Sequence, residues 1–162
     1  MVTETRRFGK VSGALNSNFI TLIPKKSKPS SFDDFRPISL CNLIYKVISK
    51  IIVECLKPFM AAYISEEQFG FLPGRQVRDA VGITQEIIHS IKTRKILGLL
   101  LKIDLIKDYD RVDWVFLCLI LTHIGMDCVM VNWIMACVSS VQFFILVNGQ
   151  PTDFFHSQRG LR

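Results

Sequence analysis

Hydrophobic positions along this chain fall mainly at helical spacing or in short unbroken runs, with few strict alternations. Residues 18–22 (NFITL) are rich in aromatic and β-branched types and predict a strand. A polar stretch, 25–34 (KKSKPSSFDD), separates them from an apolar piece at 35–40, which predicts a hairpin with a long basic connection. Asn42 is placed to cap a helix whose apolar positions Ile44, Val47, Ile48, Ile51, Ile52, Cys55 and Leu56 define one face. Lys46, Lys50 and Lys57 lie off that face, and Pro58 is expected to end or kink the helix. After the turn-rich 68–75 (QFGFLPGR), Asp79 is expected to cap a second helix with Ala80, Ile83, Ile87, Ile88 and Ile91 inward.

A break at 92–95 precedes 97–105, an apolar run that predicts a strand buried on both faces. Helices follow at about 112–124 and 128–138, divided by Gly125 as a C-terminal stop. Residues 142–147 followed by Asn148-Gly149 predict a hairpin, because Asn-Gly supplies both positive φ angles of a type I′ turn. Hairpins mixed with helices imply an α+β fold.

Composition narrows this picture modestly. The chain has 162 residues, enough for a sizeable core, and 49% are apolar, which favours a globular class over disorder. Its net charge of +6 suits a polyanionic partner without requiring one. Five scattered cysteines, never spaced C-x-x-C, argue against a zinc site or disulfide framework and for buried reduced thiols. With no apolar run behind the N-terminal charges, an intracellular protein, nuclear or cytoplasmic rather than secreted, is expected. From Trp114 to Thr152 charge is nearly absent, but Gly125-Met126-Asp127 and then Asn132, Ser139, Ser140 and Gln142 interrupt the roughly 20 apolar residues a membrane span needs. Two buried helices and a strand account for that stretch.

The chemistry centres on LKIDLIKDYDRVDW (101–114). A carboxylate in an apolar strand is costly unless it is hydrogen-bonded, paired or bound to a metal. Asp104 is such a group, placed where the strand should open into a cleft, and Asp108, Asp110 and Asp113 follow it. Capping the next turn, or pairing with Lys102 or Lys107, is the plainer role for Asp104. A calcium loop is excluded. Counted from Asp104 the third position is Ile106, and counted from Asp108 the fifth is Val112 and the sixth is Asp113, where glycine is required. His89, His123 and His156 are isolated and read as non-catalytic.

The 101–114 run resembles the first catalytic motif of reverse transcriptases from LINE-type, non-long-terminal-repeat retrotransposons, especially those of plant genomes. It matches at Asp104, Lys107, Tyr109, Asp110, Arg111, Val112, Asp113 and Trp114. Other blocks follow the family's order: NSNFITLIPK (16–25) and FRPISLCN (35–42) resemble paired fingers motifs, and QFGFLPGR (68–75) a template-side block. The Asn148-Gly149 hairpin and SQRGLR (157–162) resemble what precedes the next catalytic motif.

That resemblance implies a partial right-hand polymerase domain over 1–162, with fingers and template-side elements at about 16–95 and the start of the palm at about 96–162. It implies RNA-directed DNA synthesis from an RNA template, a DNA primer and dNTPs, using two Mg²⁺ (or Mn²⁺) ions. Asp104 and the Leu105 carbonyl would hold metal. Lys107 and Asp108 would offer backbone N–H groups to the triphosphate, and Tyr109 would act as the steric gate beneath the sugar. Lys25 and Arg36 would grip the triphosphate. Lys26, Lys28, Gln68, Phe71, Pro73, Gly74 and Arg75 would meet template or primer, with Arg75 alternatively pairing with Asp79.

Two departures stand out. Asp108 replaces the family's usual alanine, and the sequence stops before the second catalytic motif and the Ala-Asp-Asp hairpin. A fragment inactive by itself is therefore expected. The alternative is a non-catalytic basic module that binds nucleic acid through Lys25, Lys26, Lys28 and Arg36.

Overall fold

The structure is a computed structural model that describes residues 2–70, 72, 74–101, 103, 105 and 107–161. It divides into two compact units, one of residues 1–52 with 107–162 and one of 53–106. The fold is mixed α+β, with a small sheet and, among the described residues, six α-helices.

In the first unit, β1 (Ser17–Pro24) and β2 (Phe35–Cys41) form the expected antiparallel hairpin, in register from Asn18 opposite Cys41 to Pro24 opposite Phe35. Their connection carries a 3₁₀ turn at Phe32–Asp34. On its other edge β1 pairs in parallel with β3 (Gln142–Val147). Asn148 (φ 52) and Gly149 (φ 80) then turn the chain into β4 (Gln150–Pro151), as the Asn-Gly signal predicts. A further strand, β5 (Phe155–His156), pairs with the start of β3, and the ladder between the two pairings is bridged by Thr152 bonding Ile145.

Helix α1 (Val2–Phe8) was not predicted. Its cause lies far along the chain, in α6 (Cys128–Ser139). Trp133 of α6 is only 1% exposed, and a buried indole N–H needs an acceptor. The buried Thr5 hydroxyl provides it at 3.1 Å, while bonding the Val2 carbonyl at 2.8 Å. The helix before α6, α5 (Trp114–His123), starts on Asp113, whose carboxylate accepts from the Phe116 amide at 2.9 Å. It stops at Gly125 (φ 79) through paired bonds from the Gly125 and Met126 amides to the Thr122 and Leu121 carbonyls, as expected of a glycine stop. Asp127 caps α6 by accepting from the Val129 amide. No helix among the described residues is long and apolar enough to cross a membrane.

The core of this unit includes Trp133, Ile134, Cys137, Phe143, Ile48 and Ile52. It also holds polar groups: Asn16 is fully buried and donates to the Cys137 carbonyl (2.8 Å) and the Ser140 hydroxyl (2.9 Å). Tyr45 donates to the same carbonyl at 3.2 Å. Burial, with Cys137 and Cys41 nearby, raises the pKa of the Tyr45 phenol. Burial likewise pushes the Cys137 thiol up to about 11, so it is an inert core group. The expectation of five buried thiols holds for Cys137 alone; Cys41 and Cys118 are half-buried, and Cys55 and Cys128 are exposed.

Helix α2 (Leu43–Ala61) begins at Asn42, whose side chain accepts from the Ile44 amide as predicted, and runs on into the second unit. Its buried stripe is narrower than the sequence pattern: Ile48 and Ile52 are buried, while Val47, Ile51 and Cys55 are exposed. Pro58 does not end the helix, which continues to Ala61. The lost amide bond falls in the final turn, where Phe59 and Tyr63 stack at 5.2 Å one turn apart. In the second unit, α3 (Val77–Arg94) starts at Gln76 rather than Asp79, which instead sits in the first turn and complements the helix dipole. The helix runs through the expected break and stops at Lys95 in the left-handed region. Its predicted inward face is not buried, with Ile83 and Ile87 each 48% exposed.

The strand expected at 97–105 is also absent among the described residues. Leu97, Leu99, Leu101 and Ile103 are each more than two-thirds exposed. A strand is stabilised by neighbours that take its backbone bonds, and among the described residues no strand pairs with this run.

Candidate functional site

The β1–β2 connection folds back on itself by local bonds. The Lys25 amide donates to the Asp34 carbonyl at 2.7 Å, and the Lys25 ammonium to the Asp33 carbonyl at 2.7 Å. The Asp34 carboxylate ties the loop: it pairs with Lys26 at 2.9 Å and accepts from the Ser30 and Ser31 amides at 2.8 and 3.1 Å. The Lys26 ammonium, followed by these amides, lowers the Asp34 pKa to about 2. Lys28 stays exposed on the same loop.

Beside this loop lies a cleft of about 490 Å³. Its charged lining is Lys25, Arg36 and Lys107 with Asp33 and Asp110, over apolar walls that include Leu22, Phe35 and Ile38. Arg36 reaches it from β2, where it stands opposite Ile23. Among the described residues Arg36 has no carboxylate partner. Lys107 reaches it from the turn before α4 (Asp108–Arg111), holding φ 56, and pairs with the Asp33 carboxylate at 3.4 Å. Both partners are exposed, so that pair is worth only about 0–1 kcal/mol and yields readily to a stronger anion. Two cations of one hairpin and a third from far along the chain thus converge on one basic hollow.

The α4 turn is itself clamped. Gly160, buried and at φ 89, donates its amide to the Val112 carbonyl at 2.8 Å. It accepts from the Trp114 indole at 2.8 Å, and the Leu161 amide bonds the Tyr109 carbonyl at 2.7 Å. A Cβ on Gly160 would lie 2.9 Å from the Tyr109 oxygen. The 109–114 part of the first-motif block and Gly160-Leu161 of the 157–162 block are therefore one structural piece. Tyr109 and Asp108 on this turn are exposed.

Other expected positions are placed differently. Asp104, Phe71 and Pro73 lie outside the described residues. Leu105, Gln68, Gly74 and Arg75 belong to the second unit. There the Arg75 guanidinium donates to the carbonyls of Ser65, Gln68 and Ile64, so it staples its own loop rather than pairing with Asp79. Gly74 holds φ 76 in open space, a turn requirement. Among the described residues, which do not include the expected ligand Asp104, no three His, Cys, Asp or Glu side chains gather as a metal-ligand set. Asp33 and Phe32, which border the cleft, carried no family signal and were missed; the only hint was an acidic pair ending a basic loop.

Comparison with known proteins decides the ancestry. A profile of the family described as reverse transcriptase (RNA-dependent DNA polymerase) matches residues 23–162, from the end of β1 through the Gly160 clamp. The chain belongs to the reverse transcriptase family. Across its whole length it is also 26% identical to the Transposon TX1 uncharacterized 149 kDa protein of Xenopus laevis, of which it spans 12%. This reverse transcriptase sequence is thus similar to a transposon protein, in agreement with the resemblance to non-long-terminal-repeat elements. Lys25, Arg36 and Lys107 all fall within the matched region.

Proposed function

We propose that the cleft of Lys25, Arg36 and Lys107 is the triphosphate grip of an RNA-directed DNA polymerase from a LINE-type retrotransposon, plant-type by its motif wording. The convergence of these three cations beside the α4 turn carries the reading. An arginine fork and two ammonium groups neutralise adjacent phosphate oxygens, and the exposed Lys107–Asp33 pair opens when they arrive. On this reading the 1–52/107–162 unit combines the fingers hairpin with the start of the palm. Tyr109 lies under the sugar, while Asp104 and the Leu105 carbonyl serve metal binding in the complete polymerase. Lys26, Lys28 and the 68–75 block meet template or primer, with Arg75 acting through loop shape.

Asp108 brings a carboxylate to the turn where the family has alanine; its repulsion of a triphosphate works against the grip and supports a chain that does not extend a primer by itself. The direct test is equilibrium binding of dTTP at low salt to the wild type and to Lys25→Ala and Arg36→Ala. Loss of the Arg36 charge-assisted bonds should weaken binding about tenfold or more. Binding indifferent to both substitutions contradicts the grip. Asp104-dependent incorporation on a poly(rA)/oligo(dT) template with Mg²⁺ would overturn the inactivity.

A further inference from the structure

Phe32 is 89% exposed, and a lone exposed phenylalanine ordinarily needs no explanation. Its setting is unusual in three respects. First, the ring stands on a 3₁₀ turn pinned by the Asp34 carboxylate and closed by the Lys25–Asp34 backbone bond, not on a loose loop tip. Second, it borders two hollows at once: the basic cleft with Lys25, Arg36 and Lys107, and a smaller one of about 290 Å³ made by Pro29, Ser30, Ser31 and Phe35. Third, among the described residues no other aromatic ring packs on it. An apolar ring held open beside phosphate-binding cations is the combination by which proteins take single nucleotides and unpaired strands, since every base has a π-face.

We propose that Phe32 is a stacking platform for an unpaired nucleobase whose phosphates are held by Lys25, Arg36 and Lys107. The inference rests on the phosphate-binding reading of the cleft and adds the base to it. The base can belong to a free nucleoside triphosphate or to a single strand, and both present the same chemistry to the ring. Because Phe32 is exposed and its backbone turn is held by other residues, Phe32→Ala should leave folding intact, and the urea midpoint checks this.

The test measures binding of dATP, a short oligo(dA), inorganic tripolyphosphate and an abasic oligonucleotide to the wild type, Phe32→Ala and Phe32→Trp. Phe32→Ala should weaken the base-bearing ligands about fivefold to tenfold and leave tripolyphosphate and the abasic strand unchanged. Phe32→Trp should retain binding, with its indole fluorescence quenched by the bases alone. Loss confined to dATP identifies a free nucleotide, and loss confined to oligo(dA) a strand; either supports the platform. If tripolyphosphate binds and Phe32→Ala leaves all four ligands unchanged, stacking is overturned while the grip stands. If the wild type binds none of them at low salt, both readings fall.

Discussion

Gly160→Ala is the substitution whose cost the geometry fixes best. Two penalties add. The residue holds φ 89, a conformation that costs an L-residue about 1–2 kcal/mol. The new methyl would also sit 2.9 Å from the Tyr109 carbonyl oxygen and 3.1 Å from the Asp110 Cα, both backbone atoms that cannot swing aside. The clamp must therefore open, straining three hydrogen bonds of 2.7–2.8 Å, each worth about 0.5–1.5 kcal/mol. Together the loss is about 3–5 kcal/mol, a large part of the roughly 5–15 kcal/mol that holds a domain. Urea denaturation followed by tryptophan fluorescence reads it, because both tryptophans, Trp114 and Trp133, lie in the unit containing Gly160. The midpoint should fall by about 2 M. Gly125→Ala is the control: φ 79, with nothing within 4 Å of its Cβ, so only the conformational cost of about 1–2 kcal/mol applies. Equal losses from the two substitutions would refute the steric reasoning.

Other outcomes follow from particular contacts. Asn16→Ala removes one buried and one partly buried hydrogen bond, leaving the Cys137 carbonyl with Tyr45 as its side-chain donor, so it should cost about 1–3 kcal/mol by the same denaturation. The Asp34 carboxyl has its pKa depressed to about 2, so its contribution to the loop is full above the unfolded value near 3.9 and is lost as pH falls through about 2. A carboxyl carbon NMR titration of Asp34 should show the low midpoint, and a midpoint near 4 would contradict the Lys26 and amide contacts. Leu99→Glu and Leu101→Lys replace side chains that are 91% and 72% exposed, so they should reduce aggregation in light scattering while shifting stability by no more than about 0.5 kcal/mol. A collapse of the fold on either change would show that the run is covered.

What could be read from the sequence was whatever local chemistry decides. Asn42 and Gly125 mark helix ends through bonds within a turn of themselves, and Asn148-Gly149 encodes its hairpin in two residues. What failed depends on distant partners. Helix α1 exists against Trp133, more than 120 residues away, and nothing near Thr5 announces that. The 97–105 run has strand composition, but composition supplies no neighbouring strand. The site divides the same way. Lys25, Arg36 and Lys107 could be picked out only by resemblance, since no periodicity links them, and their meeting in one cleft is a tertiary fact. Phe32 and Asp33 looked like ordinary loop residues, and only the pinned turn gives them a place.

The most direct test of the triphosphate grip is an NMR titration of the wild-type chain with tripolyphosphate, following backbone amides. The grip predicts saturable shifts with one common Kd at Lys25, Asp33, Arg36 and the 107–110 turn, weakening steeply with salt. Another basic hollow, about 450 Å³ with Arg6 and Arg7 in its lining, provides the internal comparison. Shifts centred there, with Arg36 and Lys107 silent, would contradict the assignment.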